Sequence, residues 1–228
     1  MRIYLIRHGR QSSPLLNANV GLSKEGKEQA QLLGKRLKKN CAIDILYSSD
    51  YVRAVETAHI INSHLNVEHK IDKRFREVNL GGFTGLTNNQ AKEKFKDFLI
   101  ERAKMTSDTP YPNGGENCEM VFNRAFAGIK DILKTDYENV CVVMHGAVLR
   151  ALLTGIIGAD YAKWLVLGRQ IENCSITELF FDKAMDSLHI ERFNDYAHLE
   201  DKPYLLRGNY SQGFFNVDVK EKNQKVPH

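Results

Sequence analysis

The sequence predicts an α/β protein with a three-layer α/β/α arrangement and a mostly parallel central sheet. Three observations carry the prediction. Residues 3–6 (Ile-Tyr-Leu-Ile) are four apolar residues in a row, the pattern of a strand buried on both faces. A second such run, Val-Cys-Val-Val-Met, occupies residues 140–144. Between them, strand-like and helix-like segments follow one another at the spacing of parallel strand–helix–strand units.

After the first strand, residues 10–22 form a loop rich in serine, asparagine, proline and glycine. Ser23 is a candidate N-cap with Glu25 in the first turn, and the helix it opens runs through Ala30, Leu33 and Leu37 to the Lys38-Lys39-Asn40 cluster. Residues 43–47 make the next strand, and Ser48-Ser49-Asp50 offer caps for a helix exiting near Asn62-Ser63. Residues 67–83 are less regular and lead into Gly81-Gly82-Phe83-Thr84-Gly85. A polar, helical stretch over 88–104 and a Pro/Gly loop to residue 115 interrupt the rhythm. The segment at about 86–116 is therefore read as an insertion over one face of the core. A helix with an apolar stripe follows over 116–134, then the second buried strand and a helix over 147–153. Residues 175–181 and 188–193 read as a hairpin turning at 184–186. The domain expectation is one catalytic unit over 1–200 and a tail over 201–228, with aromatics at Tyr204, Tyr210, Phe214 and Phe215 and lysines at 220, 222 and 225.

At 228 residues, with 43% apolar and 26% charged residues, the chain can bury a sizeable core. A net charge of +4 fits a small anionic substrate and is too weak to argue for nucleic acid. The four cysteines, widely spaced and without a Cys-x-x-Cys pair, read as reduced thiols. No run approaches the roughly 20 apolar residues that span a bilayer, and no apolar leader opens the chain, so a cytoplasmic protein is expected. His59, His64 and His69 recur every five residues, which on a helix sets the rings about 140° apart, so no metal site is expected there.

The chemistry lies at the strand ends. Each buried run empties into a His-Gly pair, His8-Gly9 and His145-Gly146, and charged groups at the end of a buried strand are costly without a task. Ligands of open α/β sheets bind beyond the carboxyl ends of the strands. Arg7, His8, His145 and Arg53 all fall at such ends, and two arginines with two imidazoles make a compact site for a tetrahedral phosphate. A neutral imidazole can attack phosphorus if its other nitrogen is held protonated. Glu77, before the glycine-rich turn, is the candidate proton donor to a leaving alcohol. Each signal alone has a plainer reading: a His-Gly turn, a solvated helix arginine, a surface carboxylate. Their convergence at one edge favours function.

These residues resemble the histidine phosphatase superfamily, the phosphoglycerate mutase-like family. The resemblance rests on Arg7-His8-Gly9, Gly21-Leu22-Ser23 with Gly26 and Ala30, Ser48-Ser49, and Arg53-Ala54 with Thr57-Ala58. It continues through Glu77 with the 81–85 turn, Gly114-Gly115-Glu116, and His145-Gly146 with Leu149-Arg150, in order over about residues 1–155. Asn194-Asp195 with His198-Leu199 is similar to the family's last strand and exit. The resemblance implies a phosphoglycerate mutase-like fold, phosphorylation of His8, proton donation by Glu77, and a phosphate pocket of Arg7, Arg53 and His145, with no metal and no cofactor. Four positions depart from the family pattern. Arg10 and Gln11 stand where a glutamate and a threonine or serine are common, Pro14 replaces an asparagine for which Asn17 can substitute, and Asn117 replaces a serine. Gln11, Asn17 and Gly146 complete the substrate-binding expectation.

The mutase branch carries a longer insertion with paired adjacent arginines, whereas residues 86–116 hold Arg102 alone. The expectation is therefore a phosphomonoester hydrolase acting on a phosphorylated small molecule, with no nucleic-acid or membrane partner. The alternatives are a cofactor-dependent phosphoglycerate mutase and, more remotely, a phospho-ligand binding protein without turnover. The sequence leaves open the substrate and whether the chain is a homodimer.

Overall fold

The computed structural model describes residues 1–168 and 170–209; the aromatic residues 210, 214 and 215 and the C-terminal lysines lie outside the described residues. Six strands form one sheet: β1 (Arg2–Arg7), β2 (Ile45–Ser48), β3 (Glu68–Ile71), β4 (Asn139–Met144), β5 (Ile176–Asp182) and β6 (Ser187–Asp195). Their order is β3-β2-β4-β1-β5-β6. The first four run parallel, and β5–β6 is an antiparallel hairpin added beyond β1. The chain thus moves outward to β2 and β3, then returns to insert β4 between β2 and β1.

Alternation along the buried strands divides the core in two. Ile3, Leu5, Val140 and Val142 face one cluster, filled by Val121, Ala125 and Ile129 of helix α5 (Cys118–Leu133) and Val148, Leu149 and Leu152 of α6 (Gly146–Ile156). Tyr4, Ile6, Cys141 and Val143 face the other, filled by Ala30, Leu33 and Leu37 of α1 (Lys24–Asn40) and Ala54, Ala58 and Ile61 of α2 (Val52–Leu65). The sheet is covered on both sides, which gives the three layers that the unbroken apolar runs predict. All four cysteines are free. No helix among the described residues is long and apolar enough to cross a membrane.

Several local expectations change. β3 lies within the stretch read as irregular: Glu-His-Lys-Ile is mostly exposed at the sheet edge and carries no apolar alternation. Helix α2 is capped by Tyr51 without a side-chain bond; the hydroxyl of Ser48 meets His69, and that of Ser49 meets His145 and accepts from the Tyr51 amide at 3.2 Å. It passes Asn62-Ser63 and ends at Leu65, with Asn66 left-handed at φ 58° and the Asn62 amide bonded to both backbone groups of Val67. The polar stretch over 88–104 is two helices, α3 (Asn88–Lys94) and α4 (Lys96–Ala103), broken at Phe95. His69 is on β3, not on a helix, and its ring meets that of His59 edge-on at 5.4 Å.

Residues 202–209, read as the start of a tail, are packed on the core. Leu205 is fully buried, and its carbonyl accepts from the Gln29 side chain at 2.8 Å. Nearby, Arg36 of α1 forms a two-pronged pair with Asp195, which fixes the end of β6 and holds that carboxyl below its ordinary range.

The exit of β1 lies directly against the start of α1. Ser23 caps that helix, accepting from the Gly26 amide at 3.1 Å, and its own amide donates to the Arg10 carbonyl at 2.8 Å. A Cβ on Gly9 would stand 2.5 Å from the Gly26 carbonyl oxygen, and one on Gly26 would stand 2.1 Å from that of Arg10. Backbone meets backbone here, so a methyl cannot be accommodated by turning a side chain. Gly26→Ala should lower stability by about 1–3 kcal/mol, the range for overpacking, while Lys27→Ala, one exposed residue on, should stay within about 0.5 kcal/mol. Urea unfolding of the two variants checks this; equal midpoints would contradict the close approach.

Candidate active site

β1 and β4 pair in register, Arg7 against Met144, so the two His-Gly exits leave the sheet at one level. The His8 amide donates to the Met144 carbonyl at 2.9 Å, and the imidazole centroids of His8 and His145 are 5.0 Å apart. β2 lies on the other side of β4, and its exit supplies Ser49, Tyr51 and, from the first turn of α2, Arg53. All of these open toward, or lie beside, a cleft of about 800 Å³.

His8 is almost wholly buried. Its Nδ1 lies 2.7 Å from its neighbour's carbonyl, Gly9 O, which only a protonated Nδ1 can satisfy. Nε2 then carries the lone pair, and it accepts from Arg53 Nε at 3.1 Å. Burial drives His8 well below the ordinary histidine value, and the charge of Arg53 acts in the same direction. The ring is therefore neutral, with Nε2 as its nucleophilic atom. Its backbone is fixed as well: the His8 carbonyl accepts from Asn173 Nδ2 at 2.7 Å, and the Gly9 amide donates to Thr57 Oγ1 at 3.0 Å.

Arg53 is 2% exposed. Its two terminal nitrogens donate to the Ala18 carbonyl at 2.9 Å and to Asn17 Oδ1 at 3.2 Å, and its guanidinium sits over the Tyr51 ring. Arg7 donates to the Ile171 carbonyl and lines the same cleft. Gly146 opens α6 beside it; a Cβ there would stand 3.4 Å from Arg7 Nε. His145 departs from the expectation of a residue on the pocket wall. It is fully buried, its Nε2 is 3.0 Å from Ser49 Oγ, and its Nδ1 has no hydrogen-bond partner among the described residues. Burial, followed by Arg53, holds this imidazole neutral too.

Glu77 reaches the cleft from the turn after β3, with Oε1 accepting from the Val78 amide at 3.0 Å. That turn is held from behind. Arg124 of α5 donates to the carbonyls of Arg74, Arg76 and Glu77, and is itself anchored by a two-pronged pair with Glu116. Asn17 also lines the cleft, but its amide spans Arg53 and the Val78 carbonyl (3.1 Å), so its visible task is to hold those two groups in place. Gln11 Nε2 donates to the carbonyls of Ser13 and Leu15, folding the 10–22 loop on itself at the cleft wall.

Sequence reasoning missed Asn173, Arg124, Tyr51 and Arg207, all of which line or support the site. They lie outside the strand-end pattern, and none carries a spacing signal. Among the described residues, no group of His, Cys, Asp and Glu side chains is placed to hold a metal ion.

The buried neutral imidazoles tie stability to pH. Below about pH 6.5 the unfolded chain binds protons at His8 and His145 that the folded chain does not, so stability is complete above that value and falls as pH drops. The slope should be about 1.4 kcal/mol per pH unit for each histidine, and His198, pushed down to about 4 by burial, adds with the same sign. Urea midpoints at pH 7.5 and 5.5 measure the slope. It should be smaller in His8→Asn and in His145→Asn; an unchanged slope in both would show that neither ring is buried in its neutral form.

Comparison with known proteins gives the family and the fold. The sequence profile of the histidine phosphatase superfamily (branch 1) matches residues 3–195. Phosphoglycerate mutase-like protein 4 of Arabidopsis thaliana is 32% identical over 222 residues, covering 90% of each chain. Phosphoserine phosphatase 1 of Hydrogenobacter thermophilus is 26% identical over 205 residues, covering 87% of this chain and 94% of its own. Among solved structures, a mycobacterial glucosyl-3-phosphoglycerate phosphatase with VO3 superposes with a TM-score of 0.75 at 25% identity, covering 85% of this chain and 99% of that one. The chain belongs to the histidine phosphatase superfamily, branch 1.

Proposed function

We propose that the protein is a phosphomonoester hydrolase that works through a phosphohistidine on His8, with Glu77 as the proton donor. The observation that carries the reading is the His8 imidazole itself. Its Nδ1 is pinned to the Gly9 carbonyl, and its neutral Nε2 is opposed by the Arg53 guanidinium. A tetrahedral anion bound there meets a nucleophile and a cation together.

In the first step His8 Nε2 attacks phosphorus, the P–O bond to the alcohol breaks, and the leaving oxygen takes the proton of Glu77. Arg7 and Arg53 neutralise charge on the equatorial oxygens, and His145 offers its unpartnered Nδ1 from beside them. In the second step water attacks the phosphohistidine, and the Glu77 carboxylate accepts its proton. The P–N bond breaks, and inorganic phosphate and the starting enzyme result.

The mutase alternative is less well supported. Arg102, the one arginine of the 86–116 segment, is buried among Phe98, Tyr111 and Trp164 and is not on the cleft wall. The segment contributes Asn88 and Tyr111 to the cleft instead, which supports its reading as a cover that shapes specificity.

Wild type should release phosphate from an aryl phosphate in EDTA, and His8→Ala should abolish both turnover and acid-labile labelling of the enzyme. Interconversion of phosphoglycerates dependent on a bisphosphate primer would overturn the reading in favour of a mutase, and absence of labelling would favour a binding protein. Glu77→Gln should lower kcat/KM on an alkyl phosphate by about 10²–10⁴-fold, and far less on 2,4-dinitrophenyl phosphate, whose leaving group needs no proton. Equal losses on both esters would remove Glu77 as the donor.

A further inference from the structure

Tyr51 is the N-cap of α2 and is not on the cleft wall, yet three side chains gather on its ring. The Arg53 guanidinium lies over the ring at 4.9 Å, and that of Arg76 is 5.8 Å from the same centroid. The His145 imidazole meets it edge-on, with centroids 5.3 Å apart. On the phosphomonoesterase reading Arg53 and His145 attend the phosphoryl group, and Arg76 directly precedes Glu77.

The turn after β2 sets the ring in place. Ser49 Oγ accepts from the Tyr51 amide at 3.2 Å and lies 3.0 Å from His145 Nε2. One hydroxyl thus fixes the start of α2 and meets the imidazole that the ring also touches. Asp50, the residue between them, takes Arg76 in a two-pronged pair, Nε to Oδ1 at 2.7 Å and a terminal nitrogen to Oδ2. Residues 49, 50 and 51 therefore reach His145, the turn that carries Glu77, and Arg53.

Arg53 is buried, and its nitrogens donate to three neutral acceptors, on His8, Ala18 and Asn17. A guanidinium held out of water is attracted to the negative face of an aromatic ring, and the more so the less water surrounds it. A phosphoryl group arriving at His8 competes for the N–H donors of Arg53. The ring contact engages none of those donors, so substrate binding leaves it intact. We propose that Tyr51 is a positioning residue: its aromatic face holds Arg53 at the phosphoryl site and its contact with His145 fixes that imidazole, in register with the turn that carries Glu77. All three contacts are made by the ring, so the ring acts and not the hydroxyl. The inference rests on the phosphomonoesterase reading, in which Arg53 meets the transferred group.

Calorimetric titration of the full chain with tungstate, a tetrahedral dianion, tests the positioning without requiring turnover. Tyr51→Leu keeps apolar bulk and loses the π face, so it should bind tungstate about 10-fold or more weakly, while Tyr51→Phe should recover the affinity to within about 2-fold of wild type. Urea unfolding checks that each variant folds cooperatively, and Tyr51→Met takes the place of Tyr51→Leu if the latter does not. A double-mutant cycle separates positioning from a general structural effect. In an Arg53→Gln background, where no guanidinium is left to position, Tyr51→Leu should change tungstate affinity by about 2-fold or less. Unchanged affinity in Tyr51→Leu, equal losses in the Leu and Phe variants, or a loss of the same size in the Arg53→Gln background would each sink the proposal. Wild type that binds no tungstate would remove the phosphate pocket and the positioning with it. The expected affinities in a protein that releases no phosphate from any ester would refute the phosphatase reading and leave the positioning standing.

Discussion

The site depends on the parallel pairing of β1 with β4. Neighbouring strands in a sheet are about 4.8 Å apart, and the imidazole centroids of His8 and His145 are separated by 5.0 Å. The distance between the rings is thus a strand spacing, set by the backbone ladder and by the in-register pairing of Arg7 with Met144. β4 can stand there because the chain skips a place on its way to β2 and fills it later. Three adjacent strand ends then release their loops together, and Arg53 reaches His8 from the third. Because residues 45 apart in sequence meet through a hydrogen bond buried from solvent, the ladder must be complete before the site exists.

The same environment sorts the ionisable groups by type. Burial lowers the histidines and the arginine alike, since it disfavours every cation. An imidazole starts near neutrality, so the shift leaves it uncharged and able to attack. A guanidinium starts so high that it stays charged through the same shift, and Glu77 acts to retain that charge. A neutral imidazole beside a cation therefore needs no separate device to keep the two apart in protonation. The Gly9 carbonyl adds the remaining specification, selecting the tautomer whose lone pair is on Nε2.

Much of this was legible because two physical signals were strong. A strand buried on both faces has to be apolar throughout, so β1 and β4 could be read directly, and a charged or titratable residue at the end of such a strand stands out. Ser23, the apolar stripe of α5 and the β5–β6 hairpin were legible for similar local reasons. β3 was not, because an edge strand facing solvent has no apolar alternation to show. Ser49 was read as a cap, since serine before a helix usually is one; its bond to His145 depends on where β4 falls and leaves no local trace. The depth of His145, the bracing of Glu77 by Arg124 and the presence of Arg207 at the cleft have the same character. Each is a contact between distant segments that local pattern cannot encode.

Arg10 shows how such a contact changes the meaning of a departure from pattern. It directly follows the glycine of Arg-His-Gly, so a change of charge there invites a reading in terms of altered chemistry at His8. Its guanidinium instead turns to the carbonyls of Tyr204 and Leu205, near the other end of the chain, with Glu25 of α1 beside it at 3.7 Å. A glutamate at this position would present an acceptor to two acceptors and could not hold them. The residue that follows Arg-His-Gly is therefore bound to a segment nearly 200 positions away. The meeting of His8, His145 and Arg53 can be read from the strand ends. The outer part of the cleft is built jointly by the 10–22 loop, the start of α6 and the 202–209 segment, which meet there as a unit.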